Sequence, residues 1–292
     1  MNWLELEARI SDATQATFCV QRSVPVAGGS INSAHVLEGA GKKYFVKLNA
    51  KSCTEMFAAE AEGLAELAKP GVIRVPQPIC WGELADRAFI VMEHIPLSRG
   101  DQYSAFQFGK QLASLHRVSA ERFGWHRDNT IGSTPQINRQ DADWVSFFRE
   151  QRLQYQFSLG ARNGCGREVL NLGEILCENL AEFFHSYQPQ PSLLHGDLWS
   201  GNYAYDESST PVIFDPAVYY GDREADIAMT ELFGGFSSEF YEGYNHVFPL
   251  DDGYPLRKNL YNLYHIINHM NLFGGGYARQ AVGMMKKLLS EI

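Results

Sequence analysis

The stretch LLHGDLWSGN, Leu193 to Asn202, sets a histidine, an aspartate and an asparagine around a glycine-containing turn directly after a short apolar run. Asp and Asn are ordinary turn residues that hydrogen-bond their own backbone. In isolation the stretch therefore reads as a surface turn between two strands. What sets it apart is the spacing H-x-D-x-x-x-x-N, carried by His195, Asp197 and Asn202. A carboxylate and an amide oxygen five positions apart on one irregular loop can face a common point. The remainder of the chain decides whether other groups meet them there.

The chain of 292 residues is long enough for one large domain or two lobes. With 45% apolar and 20% charged residues it is an ordinary globular composition, neither disordered nor fibrous. A formal charge of −9 without any Lys/Arg cluster disfavours a nucleic-acid partner, which normally meets a basic face. The acidic balance suits a cationic ligand, although net charge also reports solubility. The five cysteines, Cys19, Cys53, Cys80, Cys165 and Cys177, are odd in number, widely spaced and form no CxxC pair, so neither zinc nor a redox motif is indicated. The opening MNWLELEARISDATQ alternates acids with apolar residues and lacks the basic start and apolar block of a signal peptide. No apolar run reaches bilayer length. The expectation is a reduced, cytoplasmic protein with no membrane partner.

Outward from the opening stretch, the texture of the chain changes once. Trp3, Leu6 and Ile10 share one stripe of an N-terminal helix. FCVQRSVPVAGGSINSAHVLEG carries β-branched residues on both sides of a Gly-Gly punctuation, and KKYFVKLNA follows as another strand. CTEMFAAEAEGLAELAK, rich in helix formers, is a helix with Phe57, Leu64 and Leu67 inward. PQPICWGELADRAFIVMEHI reads as two strands joined by a turn. Beyond PLSRGD the apolar spacing becomes three and four, giving helices over QYSAFQFGKQLASLHRVS, DADWVSFFREQRLQYQFSLG and REVLNLGEILCENLAEFFHSY. Short strands SLLHG, NYAY and PVIFD interrupt them, and helices resume over Glu224 to Phe233, Tyr254 to Phe273 and Ala278 to Leu289. The fold class is thus α+β and bilobal: a β-rich lobe with one helix over residues 1–95 and a mainly helical lobe over 96–292, with a cleft at the connector.

Five features fall in order on that map. Gly28, Gly29 and Ser30 lie between two strands, where backbone N–H groups could approach phosphates, although a plain hairpin explains them equally. Lys47 is a single charge inside an apolar strand; it faces solvent, or it is an ammonium held over the cleft with a carboxylate from the next helix. Glu60 is the candidate partner and Glu62 the second choice. Asp197 and Asn202 match the base and metal ligand of a kinase catalytic loop, with His195 as its organiser. VIFDPA ends an apolar strand in Asp215, where a kinase metal-binding aspartate stands. Mg²⁺ takes hard oxygen ligands, typically one or two carboxylates plus phosphates. Each feature alone has a bland explanation; their shared order points to a protein-kinase-like fold and phosphoryl transfer from ATP with Mg²⁺.

HGDLWSGN with the downstream FDPAVYYGDREADIAMTEL resembles the fructosamine kinase (ketosamine-3-kinase) family, a branch of the aminoglycoside phosphotransferase-like superfamily. GGSIN, YFVKLN, MFAAEAEGL, FIVMEHI and FGWHRDNTIGSTPQINRQDADWVSFFREQRLQYQ extend the resemblance over nearly the whole chain. It implies ATP-dependent phosphorylation of the 3-hydroxyl of ketosamines, free or on glycated proteins, after which the adduct breaks down and the amine is regenerated. It further implies Asp197 as base, Asn202 and Asp215 as metal ligands, Lys47 with Glu60 at the ATP phosphates, and Met92, Glu93 and Ile95 at adenine. Asp222 and Asp226 would hold the large lobe together. Trp199 would stack on a sugar face, or else lie under the loop as a core aromatic. Asp128, Asn129 and Thr130 would meet the sugar hydroxyls or the ammonium, or else form a turn. His265 and His269, at helical spacing but with no third ligand nearby, are expected to be structural. Alternatives are a kinase of aminoglycosides or amino alcohols, and a pseudokinase; the intact Lys47, Asp197, Asn202 and Asp215 argue against the last.

Overall fold

A computed structural model describes residues 3–27 and 31–292. Gly28, Gly29 and Ser30, expected at the phosphates, lie outside the described residues. The N-terminal part runs α1 (Leu4–Thr14), β1 (Arg22–Val26), β2 (Ser33–Gly39), β3 (Lys42–Ala50), α2 (Thr54–Ala68), β4 (Pro78–Glu83) and β5 (Arg87–Glu93). Its strands form an antiparallel sheet in the order β1-β2-β3-β5-β4.

Side chains on a strand alternate between faces, and in β3 this alternation decides where Lys47 goes. Tyr44, Val46 and Leu48 turn to α1, where they join Leu6, Ile10, Phe18, Leu37, Phe89 and Val91 in a small core. Phe45 and Lys47 therefore occupy the opposite face, toward α2 and the cleft. Helix α2 sits on that face through Phe57, Ala61, Leu64 and Leu67, all buried with Ala88, Ile90 and Met92 of β5. A one-residue slip in β3 would exchange the two sets.

The remainder comprises β6 (Leu97–Ser98), α3 (Gln102–His116), β7 (Asn129–Ile131), β8 (Thr134–Gln136), α4 (Trp144–Phe147), a π-helical turn over Phe148–Gln154, α5 (Tyr155–Arg162), α6 (Arg167–Glu178), β9 (Ser192–Leu194), β10 (Tyr203–Asp206), β11 (Pro211–Ile213), β12 (Tyr219–Gly221), α7 (Glu224–Leu232), α8 (Ser238–Val247), α9 (Tyr254–Phe273) and α10 (Tyr277–Leu289). Helix α3 opens on a capping box: Asp101 accepts from the Ser104 N–H at 2.8 Å while the Ser104 hydroxyl accepts from the Asp101 N–H at 2.7 Å. The short antiparallel pairs β9–β12 and β10–β11 bring the His195–Asn202 stretch and the strand before Asp215 side by side. Helix α8 was absent from the expected elements; its only inward residues are Phe240, Gly243 and Tyr244, too few for a clear period. Among the described residues no helix is long and apolar enough to cross a membrane, and the five cysteines are free thiols.

Charges buried in the large lobe lock its helices. Arg257 of α9 is buried and donates to both Glu224 oxygens, at 2.7 and 3.0 Å. Burial pushes the Glu224 carboxyl up to about 7, against the pull of Arg257. Arg257→Leu leaves that carboxylate buried and unpaired, and a loss of about 3–5 kcal/mol is expected in urea unfolding at pH 8. A carboxyl pKa raised in the fold means the folded state binds the extra proton, so acidification through 7 toward 5 should shrink the deficit. A loss under about 1 kcal/mol at pH 8 would contradict this reading.

Candidate active site

The His195–Asn202 stretch is built around Gly196, whose φ of 83° is a backbone state other residues seldom adopt. A Cβ there would also stand 2.0 Å from the Ala217 carbonyl oxygen. The turn is pinned by Asp226, whose carboxylate accepts the His195 N–H at 2.7 Å and the Gly196 N–H at 2.8 Å. Burial works against the charge on Asp226, but the hydrogen bond and charge of His116 hold its carboxyl below the ordinary value. Asp222 accepts from the hydroxyls of Tyr187 and Tyr261 and from the Glu224 N–H. Both aspartates thus tie the large lobe together.

His195 is fully buried and spans the loop. Its Nε2 lies 2.9 Å from the Phe214 carbonyl, and the Asp197 N–H donates to Nδ1 at 3.2 Å. Donation to a carbonyl from Nε2 and acceptance at Nδ1 define a neutral imidazole, in keeping with burial lowering its pKa. It organises the loop and joins it to the strand that leads into Asp215.

Five of the expected site residues converge. Asn202 is buried and its Nδ2 donates to the Asp197 backbone carbonyl at 2.9 Å and to Asp197 Oδ2 at 3.2 Å. Asp215 follows β11 and its carboxylate accepts from Lys47. Lys47 Nζ also donates to Glu60 Oε1 at 2.6 Å. The buried Lys47 thus sits between two carboxylates: burial alone would lower its pKa, but Asp215 and Glu60 outweigh it and raise it. Of the two candidate helix acids, Glu60 meets Lys47, whereas Glu62 pairs with Arg127 and His126 on the far side of α2. Burial, then the charges of Asp215 and Asp226, push the Asp197 carboxyl up to about 7.

These groups line one cavity of about 980 Å³ between the sheet and the large lobe. Met92, Glu93 and Ile95 line it where the lobes join. The Glu93 carboxylate accepts from Arg74 at 2.9 Å and its N–H donates to the Gln77 carbonyl at 2.8 Å, so Glu93 can serve a nucleobase only through its own carbonyl. The metal donor set is testable from the residues present. Asp215 offers a carboxylate, and Asn202, which lines the same cavity with its NH₂ group turned onto Asp197, offers an amide oxygen. Two hard oxygens plus phosphates and water are what Mg²⁺ takes, so the residues fit that ion.

A sequence model of the fructosamine kinase family matches residues 2–291. The chain belongs to this family. A Synechocystis relative named "Probable ketoamine kinase" is 47% identical over 290 residues, covering 98% of this chain and 97% of its own. The chloroplastic protein-ribulosamine 3-kinase of Arabidopsis thaliana is 41% identical over 292 residues, covering 98% of this chain and 86% of its own. The crystal structure of a Haemophilus somnus protein provisionally named a fructosamine-3-kinase superposes with a TM-score of 0.90 at 29% identity, covering 98% of this chain and 97% of the other. A fructosamine kinase is an ATP-using phosphotransferase, and the bilobal, protein-kinase-like α+β architecture is the one expected from the order of motifs.

The remaining expected residues divide. Trp199 lines the cavity and is 39% exposed, with its ring edge-on to Phe233 at 6.4 Å; it is not a core aromatic. Asp128 lies off the cavity lining and caps the Asn138 N–H at 2.7 Å. Asn129 borders the cavity, but its Nδ2 donates to the Val218 carbonyl and its Oδ1 accepts from Gln136 and Asn138. Neither is free for a sugar as expected: Asp128 Oδ1 is taken by the Asn138 N–H, and Asn129, in β7, spends its amide on Val218, Gln136 and Asn138. His265 and His269, expected to be structural, line the cavity with Asn268 and Phe273. Burial drives the His265 pKa down to about 3 and lowers that of His269, so both imidazoles are neutral. Their four-residue spacing showed one shared face, but not which way that face turns.

Proposed function

We propose that this fructosamine kinase transfers the γ-phosphoryl group of ATP to the 3-hydroxyl of ketosamines, free or protein-bound, with residues 1–95 as the nucleotide-binding lobe and 96–292 as the catalytic lobe. The single observation that carries the reading is the Lys47 ammonium, buried on the cleft face between Glu60 and Asp215 and sharing one cavity with Asp197 and Asn202. The names of the relatives support the ketosamine acceptor.

Each residue then has a part. Asp197 accepts the hydroxyl proton as the oxygen bonds to the γ-phosphorus and the bond to the β-phosphate oxygen breaks, releasing ADP. A carboxyl near 7 is matched to that task at neutral pH. Lys47 binds phosphate oxygens and counters the charge on the transferring group, with Glu60 fixing its position. Asn202 and Asp215 would hold Mg²⁺, which supplies positive charge against the triphosphate when bound. The carbonyl of Glu93 and the N–H of Ile95 would pair with adenine, with Met92 against its ring. Trp199 flanks the acceptor, presenting an aromatic face to sugar C–H groups and to the ammonium. Phosphate on C3 is a better leaving group than hydroxyl: once the product enolises between C1 and C2, the C3–O bond breaks with release of inorganic phosphate, and water hydrolyses the imine left at C1 to free the amine.

Parallel panels of ketosamines and aminoglycosides with ATP and Mg²⁺ test the reading. Turnover of fructosyl- and ribulosyl-lysine with a 3-phosphate product is expected; turnover confined to aminoglycosides, or to neither, refutes it. The raised Asp197 carboxyl sets a pH dependence. Below about 7 the base is protonated, so kcat/KM should fall tenfold per unit toward pH 5 and level off above 8. A profile flat from pH 5 to 8 would remove Asp197 from that role.

A further inference from the structure

The segment from Phe123 to Asn138 takes no part in the chemistry above, yet it is fastened to the carriers of both carboxylates that hold Lys47. Glu60 stands on α2, and Asp215 is followed by Pro216, Ala217 and Val218 before β12. On the α2 side, Arg127 Nη1 donates to Glu62 Oε1 at 2.6 Å and Nη2 to Glu55 Oε2 at 2.8 Å. Glu55 and Glu62 are seven residues apart, two turns along one helix face, so a single guanidinium spans that face. His126 adds a contact to Glu62 at 2.9 Å, but it is exposed and contributes little.

On the Asp215 side, Asn129 donates to the Val218 carbonyl at 2.8 Å and Gln136 to the Ala217 carbonyl at 3.0 Å. The two grips form one unit. Asn129 Oδ1 accepts from Gln136 and Asn138 at 2.9 Å each, and the fully buried Arg152 donates to Asn138 Oδ1 at 2.7 Å. Where α2 meets the Asp215 segment directly the approach is close: a Cβ on Gly63 would lie 3.2 Å from Val218 Cγ2, and the Tyr220 hydroxyl donates to Glu66 at 2.7 Å.

We propose that Phe123–Asn138 is a brace that sets Glu60 and Asp215 at their separation across Lys47, with Arg127 and Asn129 as positioning residues of the phosphate site. The proposal rests on reading Lys47 as the phosphate-binding ammonium. Helix α2 is thereby anchored to the large lobe as well as to its own sheet, and the Lys47–Glu60 pair stands ready with no partner protein or modification to set it. If the anchor is cut, α2 occupies the competent position for a smaller fraction of the time, and apparent nucleotide affinity falls by that fraction.

The test is MgATP binding to the full chain by calorimetry without acceptor, paired with the KM of a ketosamine and the melting temperature. Arg127→Ala should raise the MgATP Kd roughly three- to tenfold and leave the acceptor KM within about twofold. The exchange Glu62→Arg with Arg127→Glu, made together with Glu55→Gln so that the acid placed at position 127 faces no second carboxylate, should restore most of the affinity, which generic damage would not permit. Glu62→Gln is the milder variant should Arg127→Ala fail to fold, with an expected rise of about twofold. Unchanged MgATP affinity in whichever of these variants folds, loss that the exchange does not repair, or a matching rise in acceptor KM overturns the brace. Failure of the unaltered protein to bind MgATP at all sinks the kinase reading and the brace with it, so the two failures are distinguishable.

Discussion

Asp197→Asn lowers kcat by about a hundredfold or more, the scale of a lost general base, while MgATP and ketosamine still bind. Asn has the same shape and can still accept through Oδ1, but it cannot take the hydroxyl proton at any working pH. The acid limb of the pH profile should vanish with it. Stability should move the other way. The Asp197 carboxyl is raised above its unfolded value, so the folded state favours the protonated form and carries a charge it resists at pH 8. A neutral amide removes that burden, and the melting temperature at pH 8 should rise. Steady-state kinetics and a thermal melt on the same preparation check both halves. Near-normal turnover would leave the site without a base.

Asp215→Asn should lower kcat/KM by roughly a hundredfold, as for other charge-stabilising groups aimed at a transferring phosphoryl. The change acts twice. It weakens the oxygen ligand proposed for Mg²⁺, and it takes from Lys47 one of the two carboxylates that hold its pKa above the ordinary value. Nucleotide titration with and without Mg²⁺ separates this from general damage: the gain in affinity that Mg²⁺ confers should largely disappear, while metal-free ATP binds as well or better because a negative charge has left the site. If affinity and metal dependence both stay as they were, Asp215 only shapes the turn.

Much of the architecture was legible because its signals are local. The alternation in YFVKLN, the helix formers after it, and the apolar runs before HGDLWSGN and Asp215 all became the elements expected of them. What sequence left open was decided at a distance. Lys47 could face solvent or cleft, and only the packing of α1 on the other face of β3 settles it. Glu60 and Glu62 stand two positions apart on one helix, and Arg127, far along the chain, claims the second. The π-helical register of Phe148–Gln154 brings Gln151 and Arg152 inward together, and Arg152 finds its partners at Ile137 and Asn138, outside its own helix. The cleft-facing orientation of His265 and His269 is likewise a product of how α9 packs, which no four-residue period reveals.

The backbone at Asp215, with φ of 58°, has a consequence for how such a protein can decay. In that left-handed state Asn and Gly are the replacements the main chain accepts most readily, and both lie one nucleotide change from an aspartate codon. A lineage released from selection for turnover would accumulate copies that express well and turn over far more slowly, since these replacements erase the charge without straining the main chain. Such descendants would look healthy by every measure except catalysis and the metal dependence of nucleotide binding.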